Sequence, residues 1–300
     1  MRPAANRHLT VRDRVFLAVN GFGLSVLVLL FLYPLVYVVS ASFSSPGAVV
    51  SGRVWLFPVD VSLAGYRAVF RHEAIWTGYG NSFFYMTAGT TINVVMTVLM
   101  AYPLAKPGFY GRGFFTFLLV FTMMFNGGLI PTFLLVRRLG LYNTRWALLI
   151  TQALTPFNVI IARTYFRHSI PRELYDSAII DGASDTRYIH SILLPLSKPM
   201  LAVIALYYAV WHWNQFFWAL VYLSDRALYP LQLVLRDILI RNEVSIEAVG
   251  GDILELERLQ GMADLLKYSL SVVASVPVLV VYPFVQKYFV KGVMIGALKG

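Results

Sequence analysis

Five residues near the middle of the chain carry recognition chemistry on a helical period. Tyr207, Trp211, Asn214, Trp218 and Tyr222 are spaced four, three, four and four apart, which puts them on one stripe of a helix. Flat aromatic faces suit the apolar faces of sugar rings, and an Asn amide offers both a donor and an acceptor. Such a stripe reads either as the lining of a sugar path or as helix packing plus an interfacial aromatic belt. Asn214 weighs toward a path, because a mid-span polar residue needs a partner or water. Asn126 opens a second irregularity, Asn126-Gly-Gly-Leu-Ile-Pro131, inside an apolar run. Broken helices flank transport sites, although a plain kink against a neighbouring helix is the simpler expectation. Met123 and Met124 beside it read as packing fillers.

Catalytic chemistry is hard to find. The nucleotide-binding pattern G-x-x-x-x-G-K-[ST] is absent, and no Gly-Lys pair occurs anywhere. There is no H-E-x-x-H, no G-x-S-x-G and no calcium-binding loop. With zero Cys there is no disulfide framework and no thiolate metal site. No metal, nucleophile or acid/base constellation suggests itself, so the chain is expected to be no enzyme and to hold no cofactor. If work is done, its energy comes from another subunit. His212 is the one ionisable residue well inside an apolar run, and a lone His there is more often hydrogen-bonded packing than a proton relay. Coupling to protons or sodium usually needs buried carboxylates or His chains, so an ion-driven carrier is disfavoured.

The elements that position these residues are membrane helices. The chain has 300 residues, of which 58% are hydrophobic and only 13% charged; soluble domains average about 25% charged. Six apolar windows near the spanning length of about 20 residues appear. They run from about Val15 to Ser40, Ser82 to Ala105, Gly113 to Val136, Trp146 to Ala162, Pro199 to Leu223 and Tyr268 to Gln286. Each is expected to be helical, because a segment in lipid must satisfy its own backbone. The first is too long for a signal core of about 7–15 residues, despite a Val39-Ser40-Ala41 stretch that mimics a cleavage site. It reads as an uncleaved anchor.

The net charge of +10 comes from 25 basic and 15 acidic residues. In a chain this apolar, a basic balance points to a cytoplasmic membrane face and not to nucleic acid. Arg2, Arg7, Arg12 and Arg14 precede the first span. The positive-inside rule therefore places that end, and with six spans the other terminus too, in the cytoplasm. This orientation puts 14 basic residues inside and 11 outside. The margin is modest, with Arg137, Arg138 and Arg145 on the disfavoured side, so the first flank decides.

One inside connection, 163–198, is patterned. Ser169 is a plausible N-cap with Pro171 in the first turn, and Glu173 and Asp176 suit a helix N-terminus. Leu174, Ala178 and Ile179 form an apolar stripe, and Gly182 stops the helix. A second short helix, from about Asp185 to Leu193, presents Tyr188, Ile189 and Ile192 until Pro195 ends it. The product is a helix–turn–helix knob whose small residues Ser177, Ala178, Gly182 and Ala183 allow a partner to approach closely. The bland alternative is a solvated hairpin that covers the spans. The outside connection 224–267 mixes Arg226, Arg236 and Arg241 with Glu243, Glu247, Asp252, Glu255 and Glu257, which by itself describes a solvated loop.

The spacing Asp176-Ser-Ala-x-x-Asp-Gly-Ala183, followed by Ile192-x-Leu-Pro195, resembles the "EAA" loop of binding-protein-dependent ABC importers. That pattern is Glu-Ala-Ala-x-x-x-Gly, nine residues, then Ile-x-Leu-Pro. Here Asp176 stands for the Glu and Ser177 for the first Ala. Trp213-Asn-Gln-Phe216, Pro230-Leu-Gln-Leu-Val-Leu235, Gln286-Lys-Tyr-Phe-Val-Lys-Gly292 and Gly296-Ala-Leu-Lys-Gly300 resemble the carbohydrate branch. Asn126 to Pro131 and Leu139-Gly-Leu-Tyr-Asn143 resemble its maltose-type subgroup for oligosaccharides and polysaccharide fragments such as alginate pieces.

The resemblance implies an all-α, single-domain permease of 300 residues with the type I (MetI-like) importer fold in the inner membrane. It implies a second homologous permease, two cytosolic ATPase subunits that hold the ATP and Mg, an extracytoplasmic binding protein and a carbohydrate substrate. It makes 163–198 the coupling loop, with Glu173, Asp176, Ser177, Ala178, Asp181, Gly182, Ala183, Tyr188, Ile192 and Pro195 as its residues. The 224–267 loop would dock the binding protein, and the C-terminal tail would reach the ATPases. Tyr207, Trp211, Asn214, Trp218 and Asn126 are the path candidates. A permease for a non-sugar solute is the main alternative; an ATPase-independent channel or sensor, and more remotely a membrane enzyme, stand outside the class.

Overall fold

The computed structural model describes residues 10–247, 260–280 and 283, and every regular element among them is helical. The chain opens with α1 (Val11–Ser42), α2 (Pro46–Val50), α3 (Ala64–Arg71) and α4 (Glu73–Ala105). Next come α5 (Arg112–Met124), α6 (Leu129–Arg138), α7 (Arg145–Ile150), α8 (Pro156–His168) and α9 (Arg172–Ile180). It closes with α10 (Asp185–Leu196), α11 (Lys198–Trp213), α12 (Phe217–Tyr222), α13 (Leu231–Glu247) and α14 (Gln260–Val280). Two compact units divide it, one of residues 1–71 with 239–273 and one of residues 72–238 with 274–300.

In the first unit, α1 starts at a capping box: Asp13 N donates to Thr10 Oγ1 at 3.3 Å and Thr10 N donates to Asp13 Oδ2 at 3.0 Å. Its 32 residues reach about 48 Å at 1.5 Å per residue, enough to cross a hydrocarbon core of about 30 Å. From Val11 to Leu35 every residue is exposed, on all sides, as in a helix that faces lipid. Only its C-terminal end is tied down. Ser40 Oγ donates to the Leu56 carbonyl at 2.6 Å, and Ser42 Oγ meets the Tyr66 hydroxyl at 2.8 Å. Ala41, Ala48, Val49, Val54 and Leu265 form the core there.

The second unit is organised by α4. Its buried residues Gly78, Ser82, Tyr85, Gly89, Asn93, Thr97, Ala101 and Leu104 recur every three or four positions, the period of one helix face. Against that face α11 lays Tyr208 and His212. The Asn93 Oδ1 accepts from His212 Nε2 at 2.8 Å, and the Thr97 and Tyr208 hydroxyls are 2.8 Å apart. The imidazole packs directly on Gly89, where a Cβ would collide with the ring. His212 is thus glue between helices, as expected.

Among the described residues three helices, α1, α4 and α14, are long and apolar enough to cross a membrane singly; counting the bent pairs α5–α6 and α10–α11 as one span each makes five. The fourth expected span, 146–162, is instead the two short helices α7 and α8. Pro156 at the start of α8 holds Thr155 extended, with φ −108° and ψ 115°, because proline disfavours the helical region in its predecessor. The third expected span bends by 115° between α5 and α6, far beyond a plain kink. Gly128 takes φ +86°, and its N–H donates to Asn126 Oδ1 at 3.0 Å. Met123, Met124 and Phe125 are all exposed at that corner, so the two methionines fill no core there among the described residues. The sixth expected span is described over residues 268–280 and at 283.

Candidate coupling loop and translocation groove

The 163–198 segment folds as the expected hairpin, with a shifted start. Ser169 caps the C-terminal end of α8, and α9 begins after Pro171. At the bend, the Gly182 N–H donates to the Ile179 carbonyl at 2.9 Å and the Ala183 N–H to the Ala178 carbonyl at 2.8 Å. Gly182 has φ +72°, a conformation only glycine adopts freely. Ser184 then caps α10, its Oγ accepting from Arg187 N at 3.3 Å. Within α10 the Ile189–Leu193 stretch is a π turn, and helix continues through Pro195 to Leu196 before bending by 84° into α11.

The hairpin has an inner and an outer side. Ala178, Tyr188 and Leu193 are buried with Tyr102, Phe166 and Ile170, and the Tyr175 ring meets Tyr188 edge-on at 5.2 Å. Tyr188 therefore anchors the knob and does not present itself, against the sequence expectation; Ala178 likewise faces inward, and Ala183 and Ile192 are half-buried. The outer side carries Glu173, Asp176, Ser177, Asp181, Gly182 and Pro195, all exposed. Among them stands Ile180 at 85% exposure. Ion pairing holds the knob to the end of α4: Lys106 Nζ lies 2.8 Å from Asp185 Oδ2, and the Tyr102 hydroxyl donates to Asp185 Oδ1 at 2.7 Å.

The aromatic stripe is divided. α11 ends at Trp213, and Asn214 caps it by donating Nδ2 to the Val210 carbonyl at 2.9 Å. Tyr207, Trp211, Asn214 and Trp218 nonetheless line one open groove of about 460 Å³, joined by Phe216 and Phe217. A second hollow of about 370 Å³ shares Tyr207 and Trp211 and adds Gln152, Thr155 and Asn158. Among the described residues no charged one lines either hollow. Tyr222 leaves the stripe: it is buried and stacks on Trp218 at 5.4 Å. Asn126 is not part of this lining and caps the α5–α6 corner instead. Gln152 and Asn158 were missed from sequence; their signal was the cluster of polar residues on either side of Pro156.

The start of the 224–267 connection is clamped. Asn81 Nδ2 donates to the Ala227 carbonyl at 2.7 Å, Tyr85 to that of Leu228 at 2.9 Å, and Arg145 to Asn81 Oδ1 at 3.1 Å. Arg226 pairs with Asp237 at 3.9 Å. The side chains of Arg241, Glu243 and Glu247, residues Asp252, Glu255 and Glu257, and the tail from Gln286 to Gly300 lie outside the described residues.

Residues 89–295 match the family model described as "Binding-protein-dependent transport system inner membrane component". Protein LplC of Bacillus subtilis (strain 168) is 40% identical over 98% of each chain. The polygalacturonan/rhamnogalacturonan transport system permease YtcP of the same organism is 40% identical over 97% of this chain and 100% of its own. The arabinooligosaccharides permease AraQ of Halalkalibacterium halodurans is 28% identical over 93% of this chain and 95% of its own. In solved structures, a chain of a bacterial ABC transporter that imports the acidic polysaccharide alginate superposes with a TM-score of 0.84 at 37% identity, covering 95% of this chain and 100% of that one. A family match over most of the chain, carried on an all-helical fold with broken spans, makes this protein a member of the inner-membrane components of binding-protein-dependent ABC importers, a multi-pass permease subunit that is not itself the catalyst.

Proposed function

We propose that this permease passes an oligosaccharide or polysaccharide fragment across the inner membrane, with both termini in the cytoplasm. A binding protein delivers the sugar from outside, a second homologous permease completes the path, and two cytosolic ATPase subunits hydrolyse the ATP. The knob 163–198 is the coupling element, offering Glu173, Asp176, Ser177, Asp181 and Gly182 to the ATPases while Ala178 and Tyr188 fix it to the permease. The 224–267 connection faces the binding protein. Relatives named for polygalacturonan/rhamnogalacturonan and arabinooligosaccharide transport, and the solved transporter that imports alginate, support a carbohydrate cargo.

The observation that carries the substrate class is the uncharged aromatic groove of Tyr207, Trp211, Asn214 and Trp218. Rings stack on sugars without fixing their sequence, and Asn214 supplies hydrogen bonds. Uptake by the complete transporter reconstituted in vesicles tests it. Trp211→Ala should lower sugar uptake roughly two- to tenfold, the value of one ring contact, while the binding protein still stimulates ATP hydrolysis. Full uptake in Tyr207→Ala, Trp211→Ala and Trp218→Ala alike would remove the groove from the path. Stimulation by a non-sugar solute alone would replace the substrate class.

A further inference from the structure

A cleft lies at the base of the knob, away from its exposed outer side and from the sugar groove. It measures about 400 Å³, and its lining includes Lys106, Arg112, Arg167 and Arg172 but no Asp or Glu. Two of these cations are answered on the knob, Lys106 by Asp185 at 2.8 Å and Arg172 by Asp176 at 3.9 Å. Among the described residues Arg112 and Arg167 form no ion pair. Positive charge accumulates there: burial first, then the neighbouring Arg167 and Arg112, hold the Arg163 guanidinium below its ordinary range. Like charges gathered in a partly buried cleft call for a counter-anion.

The position of the cleft says where that anion comes from. Lys106 follows directly on α4, a membrane-length helix, and Arg112 opens α5 of a bent spanning pair. Between and just beyond them, Tyr110 is 97% exposed and Phe114 is also exposed. Cations beside outward aromatic rings mark a membrane–water boundary, and basic pockets at that level on the cytoplasmic side take lipid headgroups. We propose that this cleft seats the phosphate of an anionic phospholipid headgroup between Arg112 and Arg167, with the acyl chains running along the exposed Phe114 face. The lipid then bridges the start of α5 and the foot of the knob. The fraction of anionic lipid in the membrane would set how firmly the knob is held.

The test uses the assembled transporter in detergent, followed by native mass spectrometry and thermal unfolding. Phosphatidylglycerol should be retained and raise the unfolding temperature; phosphatidylcholine should do neither. Arg112→Gln with Arg167→Gln should weaken phosphatidylglycerol retention about thirtyfold, given the usual worth of two surface cations toward anionic lipid. Arg112→Lys with Arg167→Lys should keep most of it. Arg137→Gln with Arg138→Gln, an equal charge loss at the end of α6, should leave it unchanged. If the double Gln variant does not assemble, Arg112→Gln alone carries the comparison. Retention insensitive to both arginines overturns the site. Equal protection by inorganic phosphate would make it a soluble-anion site and overturn the lipid assignment. Loss of ATPase capture with lipid retention intact would give the cleft to a protein partner.

Discussion

Lys106 Nζ and Asp185 Oδ2 stand 2.8 Å apart across the junction between the long helix α4 and the second helix of the knob. The Tyr102 hydroxyl donates to the other carboxylate oxygen. A displacement of the knob is thus transmitted to a membrane helix through a charged contact as well as through packing.

The titration of that pair is testable. The hydrogen bond from Lys106, then that from Tyr102, holds the Asp185 carboxyl below its ordinary range, and the hydrogen bond to Asp185 raises Lys106. The carboxyl's contribution is complete above its unfolded pKa of about 4 and is lost as pH falls through the depressed folded value. The lysine's contribution is complete below about 10 and is lost as pH rises through the raised folded value. Both side chains are partly exposed, so the pair is worth no more than about 1 kcal/mol. Asp185→Asn should speed amide exchange over 172–188 by up to about fivefold at neutral pH and flatten the acid limb of stability. An acid limb identical to that of the native chain would show that the pair adds nothing.

Gly89 makes a sharper demand. A Cβ there would overlap the His212 ring, whereas one on Gly80 of the same helix would meet nothing within 4 Å. Gly89→Ala should destabilise the permease by about 1–3 kcal/mol, the cost of overpacking a filled interface. Gly80→Ala should be neutral or stabilising by a few tenths. Thermal unfolding of the two variants side by side decides it; equal melting would mean that α4 and α11 are not packed as described.

Gly182 separates backbone strain from coupling. Its φ of +72° disfavours any side chain, and it lies at the exposed tip of the knob. Gly182→Asp should still assemble with a partner permease yet capture less ATPase, or hydrolyse ATP without moving solute. Gly182→Asn, better suited to the left-handed region, should lose less. Unchanged capture and unchanged uptake would remove the coupling role from this loop.

The parts legible from sequence were those fixed by a single local rule. Lipid imposes long uncharged runs, so α1 and α4 announce themselves, and Gly182 announces the bend of the knob. The parts that were not legible depend on distant partners or on competing local rules. Ser169 and Pro171 both suit a helix start, but Ser169 went to the end of α8 and left α9 to begin after Pro171. Tyr188 looked like a presented aromatic until the knob folded back on Tyr102 and Tyr175. The division at Pro156 was readable from the proline rule and was hidden by the apolar content around it. The break at Asn214–Phe216 contains neither Gly nor Pro. The adjoining hollow depends on Gln152 and Asn158, which lie far back in the chain.

The π turn at Ile189–Leu193 carries a mechanical corollary. A π turn accommodates one residue more than an α turn, so everything after it is rotated by about 100° relative to an uninterrupted helix. That phase offset aims Leu193 at the core while leaving Pro195 outside. Relaxing the turn to an α turn without removing a residue would swing Leu193 off its seat, whereas deleting one residue as it relaxed would keep Leu193 on its face, because the missing residue offsets the lost rotation. Replacing one of its exposed residues, such as Ser191, would change nothing of the kind. What this stretch must preserve is the match between its length and its turn, and its errors would be errors of phase before they were errors of chemistry.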